Sequence, residues 1–263
     1  MPFACFPHRF VQRAVVLFIA DIHFGRDPRA AERAKEQALI DCLDAHAGDV
    51  EHLYLVGDVF DEYIEYRHLV PKGFVRFQAY LASWTDAGIP VTYLRGNHDP
   101  WHHSYFEAEL GVRMETTVRA KHYGRRLHIT HGDGAAASGR VRRWMRRSLR
   151  HPVPVGLYRS VLPGDAGMAL ARWVNRTFHH PEPRDAVNDA LRNHARDVLR
   201  TTPADTVVLA HTHVSALHTW PEGTYLNTGA WHQQRRLATL DAAGLRLHRW
   251  NGSQTLSIER ASS

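Results

Sequence analysis

The chain runs to 263 residues, room for one domain with an insertion, and its 44% hydrophobic content is ample for a globular core. Lysine and arginine exceed aspartate and glutamate by 33 − 27 = 6 and the pI is near 9.6, a balance favouring acidic partners such as phosphate esters, anionic lipid or nucleic acid. Two cysteines, Cys5 and Cys42, exclude a disulfide framework or zinc knuckle, and no apolar run approaches the ~20 residues of a membrane-spanning helix.

Arg9, Arg13 and the apolar stretch 14–20 imitate the opening of a signal peptide. Cleavage after Ala20 would delete the strand that positions Asp21 and His23, so a soluble or peripheral protein is expected. Residues 15–20 read as a buried strand that delivers Asp21-Ile22-His23. Helical spacing follows in Ala31, Ala34, Ala38, Cys42 and Ala45, with Leu39 and Leu43, up to Ala47-Gly48. A second strand, 53–56, runs into Gly57-Asp58-Val59-Phe60-Asp61. Phe74, Phe77, Leu81 and Trp84 mark one face of a second helix closed by Gly88 and Pro90, and these aromatics are read as core.

The third strand, 91–95, ends in Gly96-Asn97-His98-Asp99, the stretch around which the chain is organised. Gly96 permits a sharp turn, so three polar side chains arrive together at the strand's C-terminal end, where open α/β sheets bind ligands. A short helix over 105–110 precedes a fourth strand, 127–130, which leads to His131-Gly132-Asp133. Strands resume at 206–210, before His211-Thr212-His213, then at 224–227, 237–240 and 245–250. Turns at Pro221-Glu222-Gly223 and 241–244 predict an antiparallel meander there. Strands alternating with helices predict βαβ units and a largely parallel sheet, and the tail from Asn251 reads as poorly structured. Five apolar strands each followed by Asp, Asn or His describe one metal site built from five strand ends.

The pattern breaks over 134–202, where helical pieces are separated by Pro152, Pro154, Pro163, Pro181 and Pro183. Val187, Ala190, Leu191, His194 and Val198 mark the clearest helix, and the whole stretch reads as a helical lid above the metal site. Within it Arg140, Arg142, Arg143, Arg146, Arg147 and Arg150 interleave with Val141, Trp144, Met145 and Leu149. As a helix this strip suits a membrane surface; a solvated basic face packed on the core, or calmodulin-type or nucleic-acid binding, are the competing readings.

Asp-x-His, Gly-Asp-x-x-Asp, Gly-Asn-His-Asp, a lone His and His-x-His, in that order within residues 14–240, resemble the calcineurin-like metallophosphoesterases. The resemblance implies an α/β fold, a four-layer α-β-β-α sandwich with a helical lid insertion. The domain would span 14–250, with the lid at 134–202 and a tail at 251–263. By motif position, Asp21, His23, Asp58 and His213 would hold one divalent ion, and Asp58, Asn97, His131 and His211 a second, with Asp58 as the bridge. Such mixed oxygen and imidazole donors suit Mn²⁺ first, with Fe²⁺ or Zn²⁺ as alternatives. His98 is implied as the residue facing the phosphoryl group, as charge stabiliser or proton donor, and Asp61 as the carboxylate that orients it. Ala210 stands where the family commonly has Gly, and its methyl group is expected to narrow the approach to the metals.

Within that superfamily the chain resembles the UDP-2,3-diacylglucosamine hydrolases. The likeness is carried by Gly57-Asp58-Val59-Phe60-Asp61 with Tyr63 and Tyr66, by Val70-Pro71-Lys72-Gly73-Phe74-Val75-Arg76-Phe77, and by Gly229-Ala230-Trp231-His232. A helical insertion after His131-Gly132-Asp133 also matches. It implies cleavage of the substrate's pyrophosphate to UMP and 2,3-diacylglucosamine 1-phosphate by an enzyme peripheral on the inner membrane. The implied partners are a UDP-linked glycolipid and an anionic membrane surface, with no nucleic acid. Arg143, Trp144 and His232 are candidate substrate contacts. The insertion departs in detail: Ala135-Ala136-Ala137-Ser138-Gly139 lacks an acidic residue, and no clear basic/Asn pattern follows late in the lid. A soluble metallophosphoesterase for another nucleotide, phosphodiester or phosphoprotein is the alternative, and a non-catalytic binding module is a third reading that the complete ligand set opposes.

Overall fold

The computed structural model describes residues 15–136, 151–178 and 184–260. In chain order these form β1 (Val15–Ile19), α1 (Arg29–His46), β2 (Val50–Leu55), α2 (Val75–Asp86), β3 (Val91–Leu94), α3 (Tyr105–Ala108), β4 (Arg113–Glu115), β5 (Thr117–His122) and β6 (Arg125–Thr130). Then come α4 (Asp133–Ala136), α5 (Pro152–Val161), α6 (Gly164–Phe178), α7 (Arg184–Thr201), β7 (Thr206–Leu209), β8 (Ala216–Trp220) and β9 (Gly223–Asn227). The chain closes with α8 (Trp231–Gln234), β10 (Arg236–Asp241), β11 (Gly244–Trp250) and β12 (Thr255–Arg260).

The strands make two sheets, one ordered β12-β11-β10-β1-β2-β3-β4 and the other β5-β6-β7-β9-β8. β1 to β4 run parallel, as do β6, β7 and β9, so ligand-bearing strand ends point one way within each sheet. Period-two alternation explains the packing. Val16, Phe18 and Ala20 face the second sheet's Ile129, Val208 and Leu226, while Leu17 and Ile19 pack with Leu39, Leu43, Phe77, Leu81 and Trp84 on the outer side. Val207, Leu209 and Tyr225 form the second sheet's outer face, against Leu191, Ala195, Val198 and Leu199 of α7. The layers are therefore helix, sheet, sheet, helix, and sheets buried on both faces give the near-continuous apolar runs seen in the sequence.

Four expectations need correction. The last helix of the expected lid, α7, is instead the fourth layer of the sandwich. Of the described insertion only α5 and α6 pack beside the site: Arg159 donates to the Trp101 carbonyl at 2.6 Å, Tyr158 rests on the Trp101 ring at 4.7 Å, and Arg172 pairs with Glu62 at 3.0 Å. The expected meander is two hairpins in different sheets, β8–β9 and β10–β11, and β9 also pairs in parallel with β7. The tail after Asn251 is not structureless, because β12 extends the first sheet antiparallel to β11. Finally, Ala210 is fully buried in the cluster between the sheets, so its methyl group packs in the core and does not narrow the approach to the site. The basic strip 140–150, with Arg143 and Trp144, lies outside the described residues.

Candidate metal centre

The five strand ends converge, and main-chain bonds between the loops hold them. Asp21 N–H donates to Gly57 O at 3.1 Å, His23 N–H to Asp58 O at 3.0 Å, and Ala210 N–H to His131 O at 3.0 Å. Turning side chains from straight strands toward one point demands an unusual backbone. Asp21, His23, Asp58, His211 and His213 all adopt the left-handed region, with φ of 50°, 50°, 52°, 72° and 62°. Such conformations cost non-glycine residues of order 1–3 kcal/mol each and cluster at functional sites. Close approach adds a glycine requirement at two positions. A Cβ on Gly96 would meet Asp58 Oδ1 at 2.0 Å, and one on Gly57, already at φ +87°, would meet His131 Nδ1 at 2.4 Å.

Asp58 is the hub. Its Oδ1 accepts the His98 N–H at 2.9 Å, and its Oδ2 lies 3.2 Å from His131 Nε2 and 3.8 Å from His23 Nε2. Asp58 groups with Asp21 and His23 on one side and with His131 and His211 on the other, each set with its ligand atoms mutually within 4.8 Å. On the first side His23 and His213 oppose their Nε2 atoms at 3.2 Å, and Asp21 Oδ1 lies 3.4 Å from His213. On the second, Asn97 Oδ1 lies 3.2 Å from His131 Nε2. His131 Nδ1–H donates to the Val56 carbonyl at 2.8 Å, which turns Nε2 toward Asp58 and Asn97.

Electrostatics argue for cations here. Asp21, Asp58 and His23 are essentially fully buried, and Asp21 Oδ1 has no hydrogen-bond partner. Burial alone would raise the Asp21 carboxyl, but His213 and His23 outweigh it and hold it well below its usual range. Burial opposes a charged His23, yet Asp21 and Asp61 push it up to about 9; burial likewise opposes His131, and Asp58 pushes it up to about 10. His211 goes the other way, down to about 4, through burial and the neighbouring His131. Buried carboxylates that draw protons onto histidines in this way have too few cations around them, and divalent ions fit that deficit and this donor set.

All seven residues named as metal ligands from the motifs thus lie in one place, and His98 lies beside them. Asp61 is placed differently from the expectation. Its carboxylate accepts from His23 Nδ1 at 3.0 Å and is 3.7 Å from His98 Nδ1, while its backbone carbonyl accepts the His98 Nδ1–H at 2.9 Å. His232, foreseen as a substrate contact, joins the rim: its backbone N–H and Nδ1–H both donate to the Asp21 carbonyl, at 3.1 and 2.9 Å, and it groups with His23 and His213.

Two supporting residues carried no role in the sequence reading. Asp99 is fully buried and accepts from Gly96 N, Val59 N, Phe60 N and Asp58 N at 2.8, 2.7, 3.2 and 3.3 Å, and from the Tyr93 hydroxyl. It ties the Asp58 loop to the Asn97 loop. Asn227 donates to Ala210 O at 2.9 Å and to Thr212 Oγ1 at 3.2 Å, fixing the loop that carries His211 and His213. The signal was available, since Asn227 is a polar residue ending an apolar strand, as the ligands are.

Comparison with known proteins finds relatives by sequence. The chain is 32% identical over 155 residues to a UDP-2,3-diacylglucosamine hydrolase of Porphyromonas gingivalis, covering 57% of this chain and 58% of that protein, little more than half of its length. Proteins of the same name from Chromobacterium violaceum and Pseudomonas savastanoi pv. phaseolicola are each 26% identical, over 87% and 89% of this chain and 96% and 95% of theirs. A solved phosphoesterase from E. coli aligns over 94% of this chain and 100% of its own at 15% identity, with a TM-score of 0.47. The calcineurin-like phosphoesterase family model matches residues 14–215, a span that takes in all five strand-end motifs. On that match the chain belongs to the calcineurin-like phosphoesterases, a family of metal-dependent hydrolases.

Proposed function

We propose that this chain is a dinuclear-metal hydrolase that cleaves the pyrophosphate of UDP-2,3-diacylglucosamine, giving UMP and 2,3-diacylglucosamine 1-phosphate. The observation that carries the hydrolase chemistry is Asp58 shared between two adjacent ligand groups, His23/Asp21 and His131/His211. In this reading Asp21, His23, Asp58 and His213 hold one ion and Asp58, Asn97, His131 and His211 the other, with Mn²⁺ the best match and Fe²⁺ or Zn²⁺ as alternatives. Such a pair supplies an activated water and neutralises phosphoryl charge when bound.

The chain's own residues do the rest. His98 donates Nδ1–H to the Asp61 carbonyl, and its side chain, 18% exposed, lies beside the ligand groups where substrate would bind. As water's oxygen bonds to the uridine-linked phosphorus and the bridging oxygen leaves, the His98 imidazole delivers a proton to that oxygen or stabilises its charge. Asp61 positions His23 through its carboxylate and His98 through its carbonyl.

The names of the relatives support the choice of substrate, and the surface beside the site supports a lipid. Val153, Leu157 and Val161 recur every fourth residue on α5 and are 70%, 64% and 67% exposed. Trp173 of α6 and Leu69 are exposed as well. An apolar stripe of this kind suits acyl chains or a bilayer surface. The strip 140–150, with Arg143 and Trp144, would add attraction to anionic headgroups, placing the enzyme peripherally on the inner membrane. No described helix is long and apolar enough to cross a membrane.

The test is turnover of UDP-2,3-diacylglucosamine by purified protein with Mn²⁺ and detergent, followed as UMP release. Hydrolysis of simple phosphodiesters without UMP release from the glycolipid would reject this substrate in favour of a soluble phosphoesterase. No turnover of either would reject catalysis.

A further inference from the structure

A second group of polar side chains surrounds the 95–102 loop, apart from the metal ligands. His102 is 7% exposed and neither ring nitrogen has a hydrogen-bond partner; Tyr63, 2% exposed, stacks on it at 4.1 Å, and its hydroxyl is equally unpartnered. The Nε–H groups of Arg95 and Arg159 are buried without acceptors, as is the Tyr66 hydroxyl. Arg159 reaches this place from α5 and is pinned by its bond to the Trp101 carbonyl, 2.6 Å long.

The charges are unbalanced. Arg95 and Arg159 both bear on His102, whose ring is kept neutral first by burial and then by those two cations. Glu65 is the carboxylate whose charge reaches Arg159, and its oxygens are already committed. Oε1 accepts from Ser104 N and Tyr105 N and Oε2 from His103 N, each at 2.8 Å. What stands free is a set of donors: two guanidinium Nε–H groups, tyrosine hydroxyls and an imidazole N–H. Buried donors without acceptors are rare and costly, so each calls for an explanation. A tetrahedral oxyanion supplies several acceptor oxygens and the missing negative charge, and guanidinium groups match it well.

We propose that Arg95, Arg159, Tyr63 and His102 form a buried anion-binding subsite for a phosphate-type group, either a second phosphate of the substrate or free inorganic phosphate. Arg95 is two residues from Asn97 and Trp101 three from His98, so at ~3.8 Å per residue these backbones lie within about 11 Å of the metal-site loop. One substrate can span both places. The substrate version of this inference rests on the hydrolase proposal; the binding site itself does not.

Inorganic phosphate titrated calorimetrically into the full-length, metal-loaded protein tests the site. Removing one charge-assisted contact in Arg95→Gln or Arg159→Gln should weaken one phosphate-binding event about tenfold, and the double variant should lose it. Tyr63→Phe, which removes only a hydroxyl from a buried ring, gives a smaller loss and guards against variants that misfold. Equal phosphate binding in wild type, double variant and Tyr63→Phe overturns the subsite.

Kinetics then separate the two sources. If the group belongs to the substrate, the ratio of KM for a nucleotide-sugar pyrophosphate to KM for bis(p-nitrophenyl) phosphate, which has one phosphate, rises about tenfold in Arg159→Gln. If the occupant is free phosphate, that ratio holds and inhibition by phosphate weakens by the same factor. Wild type that hydrolyses no phosphoester would sink the hydrolase proposal, and the calorimetric titration would still decide the subsite.

Discussion

Asp99→Asn is the sharpest test of how the site is held. The side chain is fully buried and accepts from five donors: Oδ1 serves Gly96 N and Asp58 N, and Oδ2 serves Val59 N, Phe60 N and the Tyr93 hydroxyl. An amide of nearly the same shape must put its NH₂ at one of those two positions. The less costly choice abandons the two donors at Oδ1, and the other abandons three. A buried donor left unsatisfied costs about 1–3 kcal/mol, so the substitution should cost about 2–6 kcal/mol. A typical domain has only about 5–15 kcal/mol in total. Urea unfolding of the metal-stripped protein, followed by circular dichroism, reads this loss directly. Because Asp99 bridges the two loops, metal occupancy of the loaded variant should fall as well. Tyr93→Phe, which removes one donor of Oδ2, should cost far less. A stability loss below about 1 kcal/mol in Asp99→Asn would refute the bridge as described.

Asp58→Ala should lose both metal ions, whereas Asn97→Ala weakens one site; near-full occupancy of Asp58→Ala by elemental analysis would contradict the shared ligand. His98→Ala should lower kcat by roughly 10²–10⁴-fold with metals retained, and an unchanged kcat would make His98 structural. Acid should destabilise the fold through histidines buried neutral: burial and His122 hold His52 at about 4, burial and Arg246 hold His248 at about 4, and burial keeps His102 well below its usual range. Between the ordinary value of 6.5 and about 4 the unfolded chain binds more protons, so stability is full above that window and falls as pH drops through it. Urea midpoints at successive pH values should show this slope, a flatter one in His52→Phe, and a flat profile in wild type would remove the effect.

What the sequence disclosed follows from where each signal comes from. Strands buried on both faces are nearly continuous apolar runs, so a polar cluster at the end of each was conspicuous, and seven candidate ligands that converge in space could be named from motif order alone. Edge strands gave no such signal. β5 alternates exposed and buried residues through Thr117-Val118-Arg119-Ala120-Lys121-His122, and β12 is short and mostly exposed, so both looked like loop. α7 shows helical periodicity, but periodicity does not say which surface a helix covers; only contact with Val207, Leu209 and Tyr225 makes it a layer of the sandwich. Asp61 was assigned to His98 from position in a motif, yet a three-residue spacing leaves the carboxylate free to reach His23 while the carbonyl serves His98. Asp99 is legible only in three dimensions, because four of its five partners are main-chain amides, which no side-chain pattern marks.

The same geometry explains why folding and metal binding should be coupled. Five of the candidate ligand residues sit at positive φ, and two wholly buried carboxylates, Asp21 and Asp58, face each other's loops. Both features are relieved when the chain unfolds, since backbone angles relax and carboxylates regain water. The fold without metal therefore carries strain and charge that main-chain amides and neighbouring histidines offset in part, the histidines by taking up protons on His23 and His131. Divalent ions would replace those protons and would bind the folded array far better than the dispersed unfolded one, so their binding free energy should add to folding stability. The polar residues that fix the loops matter for the same reason. Asp99 and Asn227 hold the left-handed ligand loops in place before any cation arrives, which leaves less ordering to be done on binding.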